Sequence, residues 1–188
     1  MKPFAPARAS VPVVTRTPEL TGFCREAWPR LVGALSLYTG DRHVAEEVAQ
    51  EALVRVCERW SEVQAMASPM GWAHRVGFNL ASSHFRRRGA ERRARQRLGA
   101  IVDVVAPQVE PAEALALRQA VAALPEQQRR ALVLRYYADL PVAEVALIME
   151  CPTNTVKTHT RRAIEQLRTA GLTADDEPDA ESRELHGG

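Results

Sequence analysis

Apolar residues recur along this 188-residue chain at spacings of three and four, with almost no alternation of β-branched residues. That period belongs to helices, so the pattern predicts an all-α protein. After a Pro-rich start, expected to be disordered over 1–17, Thr17 and Pro18 supply a cap and a first-turn proline for a helix through Phe23. Pro29 lies too deep for a first turn; it should kink this helix or begin a new one that runs to Tyr38 and stops at Gly40. Asp41 then caps RHVAEEVAQEALVRVCERW, where Val44, Val48, Ala52, Val56 and Trp60 step by four to make one buried stripe. SEVQAMAS lacks periodicity and reads as a loop. Pro69 ends it and opens PMGWAHRVGFNLASSHFRRR, with Trp72, Val76, Leu80 and Ala73 facing inward.

From Gly89 to Glu110 the pattern dissolves apart from IVDVVAP, and Pro107 and Pro111 bound the stretch, as a linker would. A second helical unit follows: PAEALALRQAVAAL, PEQQRRALVLRYYAD with Pro125 in its first turn, PVAEVALIME, and CPTNTVKTHTRRAIEQLR. The expected domains are 18–97 and 112–172, joined by a flexible linker at 98–111 and followed by a disordered tail at 173–188.

The last two helices carry the first chemical signal. Val142, Val145, Ala146 and Met149 bury one side of a short helix, and a turn over Glu150 to Thr153 follows at once. In the next helix Val156, Thr160, Ala163, Ile164 and Leu167 form one stripe, leaving Asn154, Lys157, Thr158, Arg161, Arg162 and Glu165 outward. A short support helix, a tight turn and a polar second helix are the layout of a DNA-binding helix-turn-helix. Asn suits adenine, Lys and Arg suit guanine or phosphate, and Thr suits phosphate or a thymine methyl. His159, at the edge of the stripe, serves equally as a packed histidine or a contact.

Charge sharpens this picture. Residues 173–188 hold six acids against one base, a balance of −5, so within a net charge of +2 the remainder of the chain carries +7. Seven arginines lie between Arg86 and Arg97, a density that suits a polyanion. No apolar run reaches the length of a spanning helix and no signal-peptide stretch opens the chain, which gives a cytoplasmic expectation. Cys24, Cys57 and Cys151 are odd in number, widely spaced and without a ligand pattern, and read as buried small apolar residues. The five histidines show no metal spacing, so no metal and no cofactor are expected, and no nucleophile elbow or phosphate loop marks a catalytic residue.

At these residues the chain resembles a known family. LPEQQRRALVLRYYADLPVAEVALIMECPTNTVKTHTRRAIEQLR is similar to the DNA-binding region four of bacterial sigma factors of the extracytoplasmic-function group, and TGDRHVAEEVAQEALVRVCERW to their region two, continued by SPMGWAHRVGFNLASSHFRRR. The resemblance implies a non-enzymatic, dissociable subunit that directs RNA polymerase to promoters, monomeric when free. It implies docking on the clamp of the largest polymerase subunit through Asp41, Glu46, Glu47, Gln50, Glu51 and Arg55, with the flap region as a second polymerase contact. Capture of unstacked bases and backbone of the −10 element would fall to the loop ending at Ser68 and to Trp72, Arg75, Asn79, Arg86, Arg87 and Arg88. Trp72 also lies on the apolar stripe, which points to core packing before stacking. Thr153, Asn154, Thr155, Lys157, Thr158, His159, Arg161 and Arg162 would read the −35 element. Many members have arginine at the position of His159, an aliphatic residue at Thr160 and glycine at Asn154, so the base preference here departs from theirs. Many are also held by an anti-sigma factor.

One competing family shares the last helix. NTVKTH is close to the recognition helix of LuxR-type regulators, but the N-terminal half lacks the strand-helix alternation of a receiver domain.

Overall fold

A computed structural model describes residues 17–97 and 112–172, with side chains described for 17–85 and 114–172. The expected disordered ends and the linker at 98–111 lie outside the described residues. Within them the chain forms helices and no strand: α1 (Pro18–Thr39), α2 (Arg42–Glu58), α3 (Trp60–Val63), α4 (Pro69–Arg97), α5 (Ala112–Ala123), α6 (Glu126–Leu132), a π turn over Val133–Tyr137, α7 (Val142–Met149) and α8 (Thr153–Thr169). They divide into two compact units. No described helix is long and apolar enough to cross a membrane.

In the first unit Thr17 starts α1, its Oγ1 accepting from the Leu20 amide at 3.3 Å. The helix then runs through Pro29 to Thr39 without a second start, so of the two outcomes expected at Pro29 the new helix is the one that does not occur. Pro29 is exposed, so its missing N–H is lost on the solvent side, while Leu20, Ala27, Leu31, Ala34 and Leu35 bury the opposite face along both halves. Gly40, at φ +71, takes the left-handed position that closes the helix. Asp41 follows in extended backbone, and its Oδ1 accepts from the amides of His43 at 2.9 Å and Val44 at 3.2 Å. Such a cap satisfies two donors that the first turn of α2 cannot pair internally. Val44, Val48, Ala52 and Val56 are buried as the spacing predicts, joined by Ala45 and Ala49.

Two expectations change between Trp60 and Leu80. The stretch read as a loop begins with the single α turn of α3, which drives Val63 fully inside. In α4 the buried positions are Ala73, His74, Phe78, Ala81 and Ser82, with Gly71 and Gly77, whereas Trp72, Val76 and Leu80 are only half-buried. Small residues set this phase. A Cβ at Gly77 would stand 3.3 Å from Leu35 Cδ1, so the absence of a side chain lets α4 press against α1. A bulky apolar stripe would have held the helices apart. The helix also continues through Gly89 to Arg97 rather than dissolving there.

The second unit has its core in Val121, Leu124, Ala131, Val133, Leu134, Leu140, Val145, Ala146, Ile148, Val156, Ala163 and Leu167. α8 packs against both α6 and α7. The single helix expected over PEQQRRALVLRYYAD widens at its end into a π turn, where the Ala138 amide reaches back five residues to the Val133 carbonyl at 3.0 Å. Asp139, at φ 52, then reverses the chain, and Arg135 Nη1 donates to the Leu140 carbonyl at 2.5 Å to hold that reversal.

Candidate nucleic-acid interface

Between α7 and α8 the bend is made by three residues. Glu150 is left-handed at φ 53 and ψ 44, which turns its amide and that of Cys151 back onto the Ala146 carbonyl. Pro152 then fixes extended backbone, at ψ 149, and its carbonyl takes the amides of Thr155 and Val156 to start α8. The bend therefore pairs the amides of Glu150, Cys151, Thr155 and Val156 within a few residues of the turn.

The pattern placed the buried side of α8 correctly. Val156, Thr160, Ala163 and Leu167 are buried, and Ile164 is half-buried. Thr160 disposes of its hydroxyl by donating to the Val156 carbonyl at 2.8 Å. The outward side brings Thr153, Asn154, Lys157, Arg161 and Arg162 together as exposed residues on the first three turns, with Thr155, Thr158 and His159 half-buried along its edges. Thr158 Oγ1 donates to the Asn154 carbonyl at 2.9 Å and keeps its lone pairs for an outside donor. Arg161 approaches Glu165 only to 3.8 Å, a loose exposed pair that a phosphate or base edge would displace at little cost. His159 presents a buried Nδ1 that has no hydrogen-bond partner among the described residues. One Asn amide and three cations on one face make this a positively charged, hydrogen-bonding surface.

One residue behind this surface was not singled out in the sequence. Arg130, in α6, is 8% exposed, and its Nη2 donates to the Ile148 carbonyl at 3.1 Å. Burial pushes its guanidinium down from the usual arginine range, and the bond to the last turn of α7 offsets part of that cost. The available signal was an arginine followed at once by the apolar run Ala131 to Leu134.

The first unit supplies two further surfaces. Ser68 caps α4, its Oγ accepting from the Gly71 amide at 3.1 Å, so its side chain has a structural task at the start of the helix. Trp72 sits half-buried, with the Arg59 guanidinium 5.7 Å from the ring centroid. Arg75 and Asn79 are exposed and share the helical face of Trp72. Arg86, Arg87 and Arg88 extend the same helix, and their side chains lie outside the described residues. On α2, Glu47, Gln50, Glu51 and Arg55 are exposed and Glu46 half-exposed. The acids meet partners one turn away: Glu46 the Arg42 guanidinium at 2.8 Å, Glu47 the His43 ring at 3.4 Å, and Glu51 the Arg55 guanidinium at 3.1 Å. Exposed pairs of this kind are weak, so the carboxylates stay available to a partner. Asp41 belongs to the cap, with one carboxylate oxygen already engaged.

Comparison with known proteins matches residues 25–91 to the family described as sigma-70 region 2, and residues 114–167 to sigma-70, region 4. The ECF RNA polymerase sigma factor SigW of Bacillus subtilis (strain 168) is 29% identical over 142 residues, covering 69% of this chain and 76% of that protein. The RNA polymerase sigma-H factor of Pseudomonas aeruginosa is 27% identical over 154 residues, covering 75% and 80%. Among solved structures, the sigma factor RpoE from Bartonella quintana, crystallised with the anti-sigma factor NepR, superimposes with a TM-score of 0.72 at 20% identity, over 85% of this chain and all of that one.

Proposed function

The chain belongs to the extracytoplasmic-function group of the sigma-70 family, and from that premise we propose how its residues divide the work of a promoter-directing sigma factor. Such a factor binds core RNA polymerase and steers transcription initiation to particular promoters, and the LuxR-type alternative is not favoured. The observation that carries the residue assignment is the separation of surfaces: an acidic face on α2, a Trp-Arg-Asn face on α4 and a basic face on α8.

In this reading, residues 18–97 form region two and 112–172 region four, with 98–111 as the connecting linker. Glu46, Glu47, Gln50, Glu51 and Arg55 dock on the polymerase clamp, complementary charge giving orientation and rate of encounter. Trp72, Arg75 and Asn79, with Arg86, Arg87 and Arg88, hold the opened −10 strand. Unstacking a base costs a few kcal/mol, which backbone cations and a fitted pocket must offset. The α8 face reads the −35 element, with Asn154 and Arg161 at base edges and Lys157 on phosphate. The chain performs no chemistry itself. It works as a cytoplasmic monomer until it meets the polymerase, and an anti-sigma factor is its inhibitory partner, by likeness to the complex of the Bartonella relative.

Two small modules on a linker bind DNA weakly until a scaffold fixes their separation. Purified chain, core polymerase and promoter DNA therefore give specific transcripts together, and the chain alone gives little specific binding. Tight, sequence-specific DNA binding and regulation that do not require core polymerase would overturn the assignment in favour of a free-standing regulator.

A further inference from the structure

Cys24 and Cys57 are 33 positions apart, one in α1 and the other in the last turn of α2, yet the fold brings their sulfurs to 3.9 Å. All three cysteines are free thiols and half-buried, not enclosed as the sequence reading had them. Beside the pair lies a second contact, between α1 and the first residue of α3. The Phe23 and Trp60 rings meet at 5.3 Å between centroids, tilted by 46°. Phe23 adjoins Cys24, and Trp60 follows Cys57 by three residues, so this aromatic contact borders the thiol pair.

A disulfide needs the sulfurs at about 2.05 Å, so closing the gap takes about 2 Å of combined movement, within reach of rotation about the two Cα–Cβ bonds. We propose that Cys24 and Cys57 form a reversible disulfide that clips α1 to the end of α2 when the chain meets a peroxide. The inference does not depend on which partner α2 docks against.

The chemistry balances with hydrogen peroxide as oxidant. Cys57 Sγ attacks one peroxide oxygen, the O–O bond breaks, and the products are a sulfenic acid on Cys57 and one water. Cys24 Sγ then attacks the Cys57 sulfur, the S–O bond breaks, and the hydroxyl leaves with the Cys24 proton as a second water. Two thiols have lost two electrons to one peroxide. A dithiol reductant reverses the bond by exchange through a mixed disulfide. The order of events follows from the site: burial first, then the charge and hydrogen bond of the adjacent Cys57 sulfur, push the Cys24 thiol up to about 11. Cys24 therefore keeps its proton at neutral pH and acts second.

The test uses the full chain. Reduced protein is treated with hydrogen peroxide, remaining thiols are alkylated, and tryptic peptides are weighed. The expected product is peptide 17–25 joined to peptide 56–59, with Cys151 alkylated and the link removed by dithiothreitol. The oxidised form should also unfold at a temperature higher by roughly 10 °C for the first unit, since the bond closes a loop of about 30 residues. That shift should vanish in Cys24→Ser and in Cys57→Ser. Links involving Cys151, disulfide-joined dimers in place of the internal link, or full alkylation of all three cysteines after peroxide would overturn the proposal. So would a linked chain that melts at the same temperature as the reduced one.

Discussion

The Arg130 guanidinium donates to the Ile148 carbonyl across 3.1 Å of buried space, tying α6 to the last turn of α7 just before the bend into α8. The contact joins the core of the second unit to the geometry of the helix proposed to read the −35 element. Arg130→Ala removes the donor, leaves a buried carbonyl short of a partner and opens space. It should cost about 2–4 kcal/mol of stability in the second unit, read as a lower urea midpoint. Promoter binding should fall for all −35 sequences alike, because the whole helix loses its support. A change confined to some −35 sequences would mean that Arg130 itself reads DNA.

Substitutions on α8 should separate base reading from phosphate contact. Asn154→Ala and Arg161→Ala should each cost about 1–3 kcal/mol on preferred −35 sequences and less on others, relaxing specificity at one position each. Lys157→Ala should weaken every sequence similarly and reduce the slope of log affinity against log salt by about 1. Holoenzyme binding to a panel of −35 variants at several salt concentrations measures both. Uniform losses for all three variants would argue against base readout from this face.

Asp41 and Glu47 are both acids near the start of α2, yet only Asp41 is engaged in a cap. Asp41→Ala should destabilise the first unit by about 1 kcal/mol, and Asp41→Asn should restore most of that, since an amide oxygen also caps. Glu47→Arg should leave the stability of the first unit unchanged within about 0.5 kcal/mol, because its pair with His43 is exposed. It should weaken core polymerase binding by roughly tenfold through charge reversal at the proposed docking face. Normal holoenzyme assembly by Glu47→Arg, measured by titration of labelled protein, would remove that face from the docking assignment.

Gly77 and Gly22 are both helical glycines with opposite surroundings. Nothing lies within 4 Å of a Cβ placed at Gly22, so Gly22→Ala should stabilise the first unit by about 0.5–1 kcal/mol. At Gly77 the Leu35 side chain stands 3.3 Å away, and Gly77→Val should destabilise by about 1–3 kcal/mol through overpacking of α4 on α1. Thermal unfolding of the two variants decides it. A stabilised Gly77→Val would show that the seam has room to spare.

Much of the architecture was legible because helix ends and helix faces are local. Pro18, Asp41, Pro69 and Gly40 mark boundaries through backbone angles and capping groups that belong to single residues. The inner face of α8 followed directly from the spacing of Val156, Thr160, Ala163 and Leu167, and its outer face from what remained. The set of candidate −35 residues is therefore a property of one helix, and the sequence by itself determined it.

What the tertiary structure alone decided depends on which helix lies against which. The phase of α4 was misread because apolar bulk at Trp72, Val76 and Leu80 looked like a core stripe. The real contact uses Ala73, Gly77 and Ala81, whose small size matters only once α1 and α2 are there to approach. Pro29 could pass inside α1 because neighbouring helices hold both of its halves, and Arg130 gained its purpose from a carbonyl eighteen residues away. The meeting of Cys24 with Cys57 is of the same kind. Sequence periodicity records the direction of each side chain around its own helix, and proximity between helices enters only when their faces pack.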